Sequence, residues 1–453
     1  MIPSTSIVTK AMVVLLALAT GGCAVRSNAP DPQAVADRIR ERTGALPRLT
    51  PSARAEGPQG TSLEDGLSPE DAVAIALWNN ADFQLSLSDL GFVRADLLEA
   101  GLLSNPVLSL LFPVGPKQLE ATLRWPIEAL WERPKRVAAA RIAVDAAAER
   151  LVQAGLDLAA LVKGAYLDVA LAQDRLRLAE ETAALVQRIN ELTQSRFEAG
   201  DISELESRAA RADSARARQD AMRARRDVGI AVDRLRNLLG FAIDGPTFMV
   251  AAPAIDLMAP CGPVDTLMKE ALASRPDIRA AELGIEAAAA RLGWERSRIM
   301  TLTAVLDANG SGSEGFEIGP GIDVGAPIFN RNQGPRARAA AELQRATAAY
   351  ALAQQRVAFE LREATAQFEQ ARESQATWRD TIIAPLELNV TSAERAFAEG
   401  DTSFLFVLDN TRRLTEARLR EREVDADLRR ARVRIERAIG RSCGPERQIT
   451  RGY

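Results

Sequence analysis

The chain repeats itself, and a duplicated chain is committed to two copies of one substructure. Ala76-Leu77-Trp78-Asn79-Asn80-Ala81-Asp82-Phe83 matches Ala271-Leu272-Ala273-Ser274-Arg275-Pro276-Asp277-Ile278. Arg196-Phe197-Glu198-Ala199-Gly200-Asp201-Ile202-Ser203 matches Ala396-Phe397-Ala398-Glu399-Gly400-Asp401-Thr402-Ser403. Pro126-Ile127 recurs as Pro327-Ile328, and the halves close alike in Leu238-Leu239-Gly240 and Ala438-Ile439-Gly440. All four pairs keep one order, at an offset that stays between 195 and 201 residues. The repeats span 67–240 and 264–440, joined by the Pro-rich segment 241–263 and followed by the tail 441–453. Each reads as a helix (about 68–103 and 264–299), a stretch of alternation, a very long helix, a tight turn and a return helix.

The alternating stretches predict strands. Leu119, Ala121, Leu123 and Trp125 alternate with Glu120, Thr122 and Arg124, a period of two with one apolar and one polar face. The segment 106–113 can be its partner across Val114-Gly115-Pro116. In the second repeat Leu302, Ala304, Leu306 and Ala308 alternate with Thr301, Thr303 and Asp307, and Ile318, Ile322 and Val324 alternate with Glu317, Gly319, Gly321 and Asp323. Asn309-Gly310-Ser311-Gly312-Ser313 supplies the turn. These strands, about 106–126 and 300–326, are near the length a tilted membrane strand needs. Four strands cannot close a barrel, and an open edge in lipid leaves backbone groups unpaired at several kcal/mol each. Strands that enter a membrane must therefore be pooled between chains, and three chains give twelve. The alternative is a pair of hairpins capping a helical rod. The Gly-rich run 309–321 lacks the Gly-Lys-Ser/Thr ending of a phosphate loop.

From Trp131 to Phe197 the only proline is Pro134, which predicts a helix on the order of 100 Å long. A second runs from about Pro335 to Phe397. Leu171, Leu178, Leu185 and Leu192 recur at seven, a coiled-coil seam, with Ile189 beside it. Ala138–Ala140 and Ala146–Ala148 allow close helix approach. Aromatics are only 5% of a chain that is 47% apolar and 26% charged, the balance of long helices packed through small and branched side chains. Arg208, Arg211, Arg216, Arg218, Arg223, Arg225 and Arg226 crowd one return helix and Arg412, Arg413, Arg418, Arg420 and Arg422 the other. Such runs read as a solvated, ion-paired face, with tunnel lining or partner contact as the alternative.

At the hairpin tips, Gly200 and Gly400 can take the left-handed conformation that ends the incoming helix. Asp201 or Ser203, and Asp401 or Ser403, can cap the outgoing one. Turn chemistry explains Gly, Asp and Ser but not Phe197 and Phe397, which favours partner docking at the tips, with a purely structural turn as the alternative.

Lys10 precedes the short apolar run Ala11–Ala19, which ends in Thr20-Gly21-Gly22-Cys23. The run is a secretory h-region too short to span a bilayer. The ending resembles the lipobox of bacterial lipoproteins, which implies that residues 1–22 are removed and that Cys23 carries the lipid; an ordinary leader with an incidental cysteine is the alternative. Ala24 is compatible with sorting to the outer membrane. Residues 23–66 read as an extended arm without a clear period. In an oxidising compartment Cys261 and Cys443 can bridge, or remain two separate thiols. The chain has no histidine, which excludes a Ser-His-Asp triad, a Cys-His dyad and a His-bearing zinc site, and no metal site or cofactor is expected. A net charge of −4 gives no basic footprint for nucleic acid.

The whole order resembles the TolC-type outer-membrane factors: lipobox, helix, strand pair, long helix, Phe-x-x-Gly-Asp-x-Ser tip and return helix, repeated once. Pro327-Ile328-Phe329-Asn330-Arg331-Asn332-Gln333-Gly334 is especially similar to members serving heavy-metal and related resistance–nodulation–division pumps. The resemblance covers roughly 66–440. It implies a mainly α protein with a small β part: a homotrimer with a twelve-stranded barrel in the outer membrane and a twelve-helix tunnel in the periplasm. It implies a passive exit duct rather than an enzyme, lipid-anchored, with a periplasmic adaptor and an inner-membrane transporter as partners. By that likeness Phe197, Gly200, Asp201, Ser203, Phe397, Gly400, Asp401 and Ser403 face the adaptor. The linker and the C-terminal segment would share the belt around the tunnel, which favours the Cys261–Cys443 bridge. A protein-secretion conduit and a poreless periplasmic scaffold are the rival readings.

Overall fold

The computed structural model describes residues 31–50, 57–58, 61, 66–112, 119–241, 248–251, 261–310 and 316–443. The leader, Cys23, the turn Val114-Gly115-Pro116 and the turn residues Ser311, Gly312 and Ser313 lie outside them. The described residues form two compact units. One holds Leu90–Ala146 and Leu283–Thr347; the other holds Asp31–Asp89, Ala147–Glu282 and the chain from Ala348 onward.

The arm is not wholly irregular: α1 (Pro32–Thr43) lies inside it. Asp31 caps its start by accepting from the Gln33 N–H, Pro32 fits the first turn, and Gly44 ends it in the left-handed conformation. Val35, Ala36 and Ile39 are buried, a spacing of one and four that was hidden among arginines and glutamates. The first helix of each repeat is likewise two helices, not one. In the first repeat these are α2 (Pro69–Asn79) and α3 (Ala81–Gly101). In the second they are α6 (Val264–Ser274) and α7 (Pro276–Ser297). The breaks fall at Asn80 and Arg275, both in extended conformation. Pro276 favours that conformation in the residue before it, and at Asn80 the side chain accepts from the Phe83 N–H to start the new helix.

The long helix α4 (Ala129–Glu198) is unbroken over its 70 residues. It returns as α5 (Glu204–Leu238). Its counterpart is interrupted: α8 (Gln333–Ala376) passes through a π-helical segment, Thr377–Ile383, into α9 (Ala384–Glu399). Pro385 in the first turn of α9 has no N–H to bond backward, and the wider π turn accommodates the missing bond. The last helix is α10 (Phe404–Ile439).

In the second unit, α4 runs along α10 in an antiparallel ladder. Arg437 pairs with Asp157 at 2.6 Å, Arg430 with Asp168 at 2.6 Å, Arg175 with Glu423 at 2.7 Å, and the hydroxyls of Thr182 and Thr415 meet at 3.3 Å. From Asp168 to Thr182 the α4 members recur every seven residues, beside the apolar seam. That seam does not keep to the leucines. Leu171 and Leu178 are buried, but Leu192 is 54% exposed while Val186, Ile189 and Thr193 turn inward. A straight helix drifts about 20° per heptad, so a strict seven-residue series leaves the interface within three heptads.

In the first unit, β1 (Val107–Leu111), β2 (Leu119–Pro126), β3 (Thr301–Gly310) and β4 (Phe316–Gly325) form one antiparallel sheet in that order. Asn309 and Gly310 belong to β3 rather than to the turn after it. The two repeats join at the centre, where Leu123 lies opposite Leu306 and Ala121 opposite Ala308.

Candidate functional site

Three regions of the molecule carry features that packing alone does not account for. The first is the sheet. Its register puts Leu108 opposite Leu123, Leu123 opposite Leu306 and Leu306 opposite Pro320, all on one face. Along each strand the same face continues with Leu110, Trp125, Ala304, Ile318, Ile322 and Val324. The face is entirely apolar, open on the edge strands, where Leu108 is 60% and Ile322 64% exposed, and half-buried along most of the central ones. The opposite face carries Glu120, Thr122, Arg124, Thr303, Asp307, Asn309 and Asp323, and Val107, Leu111 and Val305 interrupt it. There Thr122 donates to Asp307 at 2.7 Å, Asn309 donates to Asp307 at 3.0 Å, and Arg124 lies 3.8 Å from Asp323. A water-soluble sheet would bury its apolar face on helices, but among the described residues this one keeps Leu108, Leu110, Leu306, Ile318, Ile322 and Val324 exposed and leaves β1 and β4 as unpaired edges. Among the described residues no helix is long and apolar enough to cross a membrane.

The second region is the pair of hairpin tips. Gly200 (φ 85°) and Gly400 (φ 88°) are left-handed. At each, two backbone bonds close the incoming helix: Gly200 N–H to Phe197 O and Asp201 N–H to Arg196 O, Gly400 N–H to Phe397 O and Asp401 N–H to Ala396 O. The outgoing ends differ. Ser203 accepts from the Glu206 N–H at 3.3 Å while Glu206 accepts from the Ser203 N–H at 3.2 Å, a capping box. Ser403 holds the equivalent position with no side-chain cap bond, and Phe406, standing where Glu206 stands in the first repeat, cannot make the reciprocal bond. Asp201 and Asp401 contribute backbone, not side-chain, bonds to the turns.

Phe397 is not a surface residue. It is buried with Val186, Ile189, Ala210, Ala393, Val407 and Leu408, so both hairpins share one core at their tips. The Arg196 guanidinium lies 5.3 Å over its ring. Phe197 is half-buried. The exposed apolar residues there are Leu205 (77%), Leu405 and Phe406. Arg412 pairs with Asp213 at 2.6 Å between the two return helices. Of the basic side chains on α5, Arg208 pairs with Glu204 and Arg225 with Glu180, while the exposed Arg216, Arg218, Arg223 and Arg226 have no partner among the described residues.

The third region is where each repeat begins and ends, in the second unit. Asn80 donates to Leu238 O at 3.0 Å, and its counterpart Arg275 donates to Ala438 O at 3.2 Å. Each helix break is thus tied to the end of the same repeat's return helix. Arg275 is 1% exposed and also holds Asp277 at 2.6 Å and Glu360 at 3.0 Å. Burial works against its charge, yet the hydrogen bonds and charges of Asp277 and Glu360 outweigh it and hold its pKa above the ordinary value. Leu67 and Val250 form a parallel bridge, with Leu67 N–H donating to Met249 O and Ala251 N–H to Leu67 O. The Tyr166 hydroxyl lies 2.8 Å from Leu67 O and 2.6 Å from Ala251 O, and burial pushes its pKa up to about 12. Cys261 and Cys443 form a disulfide with their Cα atoms 5.3 Å apart. The sequence reading missed Asn80, Tyr166 and the burial of Arg275. Glu206, three residues after Ser203, was a readable capping signal.

Comparison with known proteins agrees with this arrangement. The sequence profile of the family described as "Outer membrane efflux protein" matches residues 115–241 and 267–441. The cobalt-zinc-cadmium resistance protein CzcC of Cupriavidus metallidurans is 28% identical over 411 residues, 88% of this chain and 98% of that protein. The pyoverdine export outer membrane protein OpmQ of Pseudomonas putida is 27% identical over 298 residues, 63% of this chain and 62% of that protein. Among solved structures, CusC, described in connection with transmembrane channel formation, superposes with a TM-score of 0.69 at 20% identity, covering 87% of this chain and 99% of its own.

Proposed function

Since the chain belongs to the outer membrane efflux protein family, we propose that it is the outer-membrane channel of a tripartite efflux pump, built from three copies. The observation that carries this reading is the sheet, with one uniformly apolar face, one polar face and two free edges. In lipid every backbone group must be paired, so the edges must meet strands from other copies. Along β1-β2-β3-β4 the strands alternate in direction, so β4 of one copy meets β1 of the next antiparallel, and a head-to-tail ring closes without a mismatch. Three copies give twelve strands, apolar face to lipid and polar face to a water-filled lumen. The Cys23 lipid anchors each copy to the outer membrane.

The tips dock a periplasmic adaptor. Leu205, Leu405 and Phe406 supply exposed apolar contact around Gly200 and Gly400, and Ser203 and Asp201 set the turn that presents them. Phe397 acts from inside, holding the two hairpins to one shape. The channel is passive, and energy comes from an inner-membrane transporter. Opening separates the hairpins, which breaks the Arg412–Asp213 pair and lifts Arg196 from Phe397. One relative is named for metal resistance and the other for pyoverdine export. Cargo choice therefore rests with the transporter, in keeping with a chain that has no histidine to relay a metal.

Planar-bilayer recording of the purified mature protein tests the reading. Discrete conductance steps in lipid are the expected result. A water-soluble monomer that gives no conductance overturns it.

A further inference from the structure

The duplicated ends of the two repeats are closed by different chemistry. In the first repeat Leu67, two residues before α2, is bridged to Met249–Ala251 in the linker, which begins eleven residues past the end of α5, and the Tyr166 hydroxyl lies within hydrogen-bond reach of the Leu67 and Ala251 carbonyls. In the second repeat Cys261 lies three residues before α6, one position upstream of Leu67's counterpart Gly262, and Cys443 lies four residues past the end of α10. Their disulfide joins positions 182 residues apart, the whole second repeat. No comparable backbone bridge joins these ends among the described residues. Both cysteines are half-buried against a cluster that includes Leu267, Phe368, Leu428 and Ile435. Cys443 is also held by its neighbours: its N–H donates to Glu436, its carbonyl accepts from Arg432, and Arg441 beside it pairs with Glu270.

We infer that the Cys261–Cys443 bond is the covalent closure of the second repeat, installed by a thiol–disulfide oxidase before the copies assemble, and that assembly of the channel therefore depends on a redox partner. The inference rests on export to an oxidising compartment, as in the function proposed above. One cysteine thiolate attacks the oxidase's disulfide, forming a mixed disulfide and releasing one oxidase thiolate. The second cysteine thiolate attacks the chain's sulfur in that mixed disulfide, forming the Cys261–Cys443 bond and releasing the other oxidase thiolate. Two electrons pass to the oxidase, and the two protons lost by the chain's thiols end on the oxidase dithiol. The first repeat needs no such partner, because its closure is made of hydrogen bonds that form on folding. Without the bond, a loop of 182 residues must be closed by the Arg275–Ala438 hydrogen bond, the Arg441–Glu270 pair and packing, with no covalent reduction of the unfolded chain's entropy.

The test expresses the full chain in three forms: wild type with the periplasmic dithiol oxidase present, wild type in a host lacking it, and a C261S/C443S double variant. Non-reducing peptide mapping follows the bond, and native gels follow the oligomer. A linked Cys261–Cys443 peptide is expected only in the first form, with oligomer yield at least about tenfold lower in the other two. Oxidised glutathione should restore the second form and not the third. A Tyr166→Phe chain should still form the disulfide, which separates loss of this closure from general misfolding. Free thiols in the mature wild-type protein, or a double variant that assembles at the wild-type yield, overturn the inference. A linked chain that assembles but gives no conductance refutes the channel reading and leaves this inference standing.

Discussion

Replacing Arg275 by methionine keeps the length of the side chain and removes its charge and donors. The guanidinium makes a two-pronged contact with Asp277 at 2.9 and 2.6 Å, reaches Glu360 at 3.0 Å, and donates to Ala438 O at 3.2 Å. Breaking a buried ion pair by removing one partner costs about 3–5 kcal/mol, because the remaining charge stays desolvated. Here Asp277 and Glu360 keep 24% and 21% of their side-chain surface in water, so each recovers part of its hydration and the lower end applies. About 3 kcal/mol corresponds to roughly a hundredfold in a local opening equilibrium. Hydrogen–deuterium exchange on the assembled protein reads this directly. Protection in α6 and at the end of α10 should fall by about that factor in Arg275→Met, while the tip amides near Glu206 stay unchanged. Arg275→Lys should lie between, since a single ammonium cannot hold Asp277, Glu360 and a carbonyl together. Protection at the end of α10 within about threefold of wild type would show that Arg275 is a passenger and that the helix break needs no anchor.

The two tips should respond differently to losing their serines: Ser203→Ala should cost about 1 kcal/mol of first-turn stability and Ser403→Ala almost none, read as amide exchange in the first turns of α5 and α10. Gly200→Ala should cost about 1 kcal/mol, for its positive φ alone, because nothing lies within 4 Å of the new methyl group. Gly240→Ala should cost clearly more, because its Cβ would fall 2.6 Å from the Asn79 carbonyl oxygen; thermal melts of the oligomer distinguish the two. Hydrogen bonding from Arg441 holds the Glu270 carboxyl below its ordinary pKa, and at Glu423 the bonds from Arg175 and Arg420 outweigh burial to the same effect. A carboxylate depressed by folding stabilises at pH above its unfolded value and loses that contribution as pH falls through the folded one. Melting temperature should therefore be level at neutral pH and drop below about pH 4, less steeply in Glu270→Gln.

The repeat made most of the architecture readable from sequence, because every element had to occur twice. Period-two runs at Leu119–Trp125 and Thr301–Ala308 located two strands and their apolar faces, while the pairing of the two across the repeats and its register are visible only in the structure. What the sequence concealed was set by tertiary contacts. Asn80 breaks its helix through a local side-chain cap on Phe83 and a carbonyl 158 residues away, and nothing local announces the second. The helix Pro32–Thr43 carries only three buried residues among charges, too weak a period to stand out. The leucine heptad was real but pointed only part of the way, since Leu192 leaves a seam that Thr193 enters. At the tips, glycine and serine were legible as turn chemistry. The apolar Phe397 stands out at its turn in the sequence, and its ring lies in a core shared by the two hairpins, which no local pattern specifies.

A twelve-stranded ring requires that the free sheet edges of different copies meet. Ser109 on β1 and Gly321 on β4 lie on the polar face at the two edges of the sheet. In a Ser109→Cys/Gly321→Cys chain inserted in membranes, a short bis-maleimide should link copies into dimers and a closed trimer on denaturing gels, with nothing larger. Only monomers after cross-linking, or a ladder that continues past three, would contradict a ring of twelve strands.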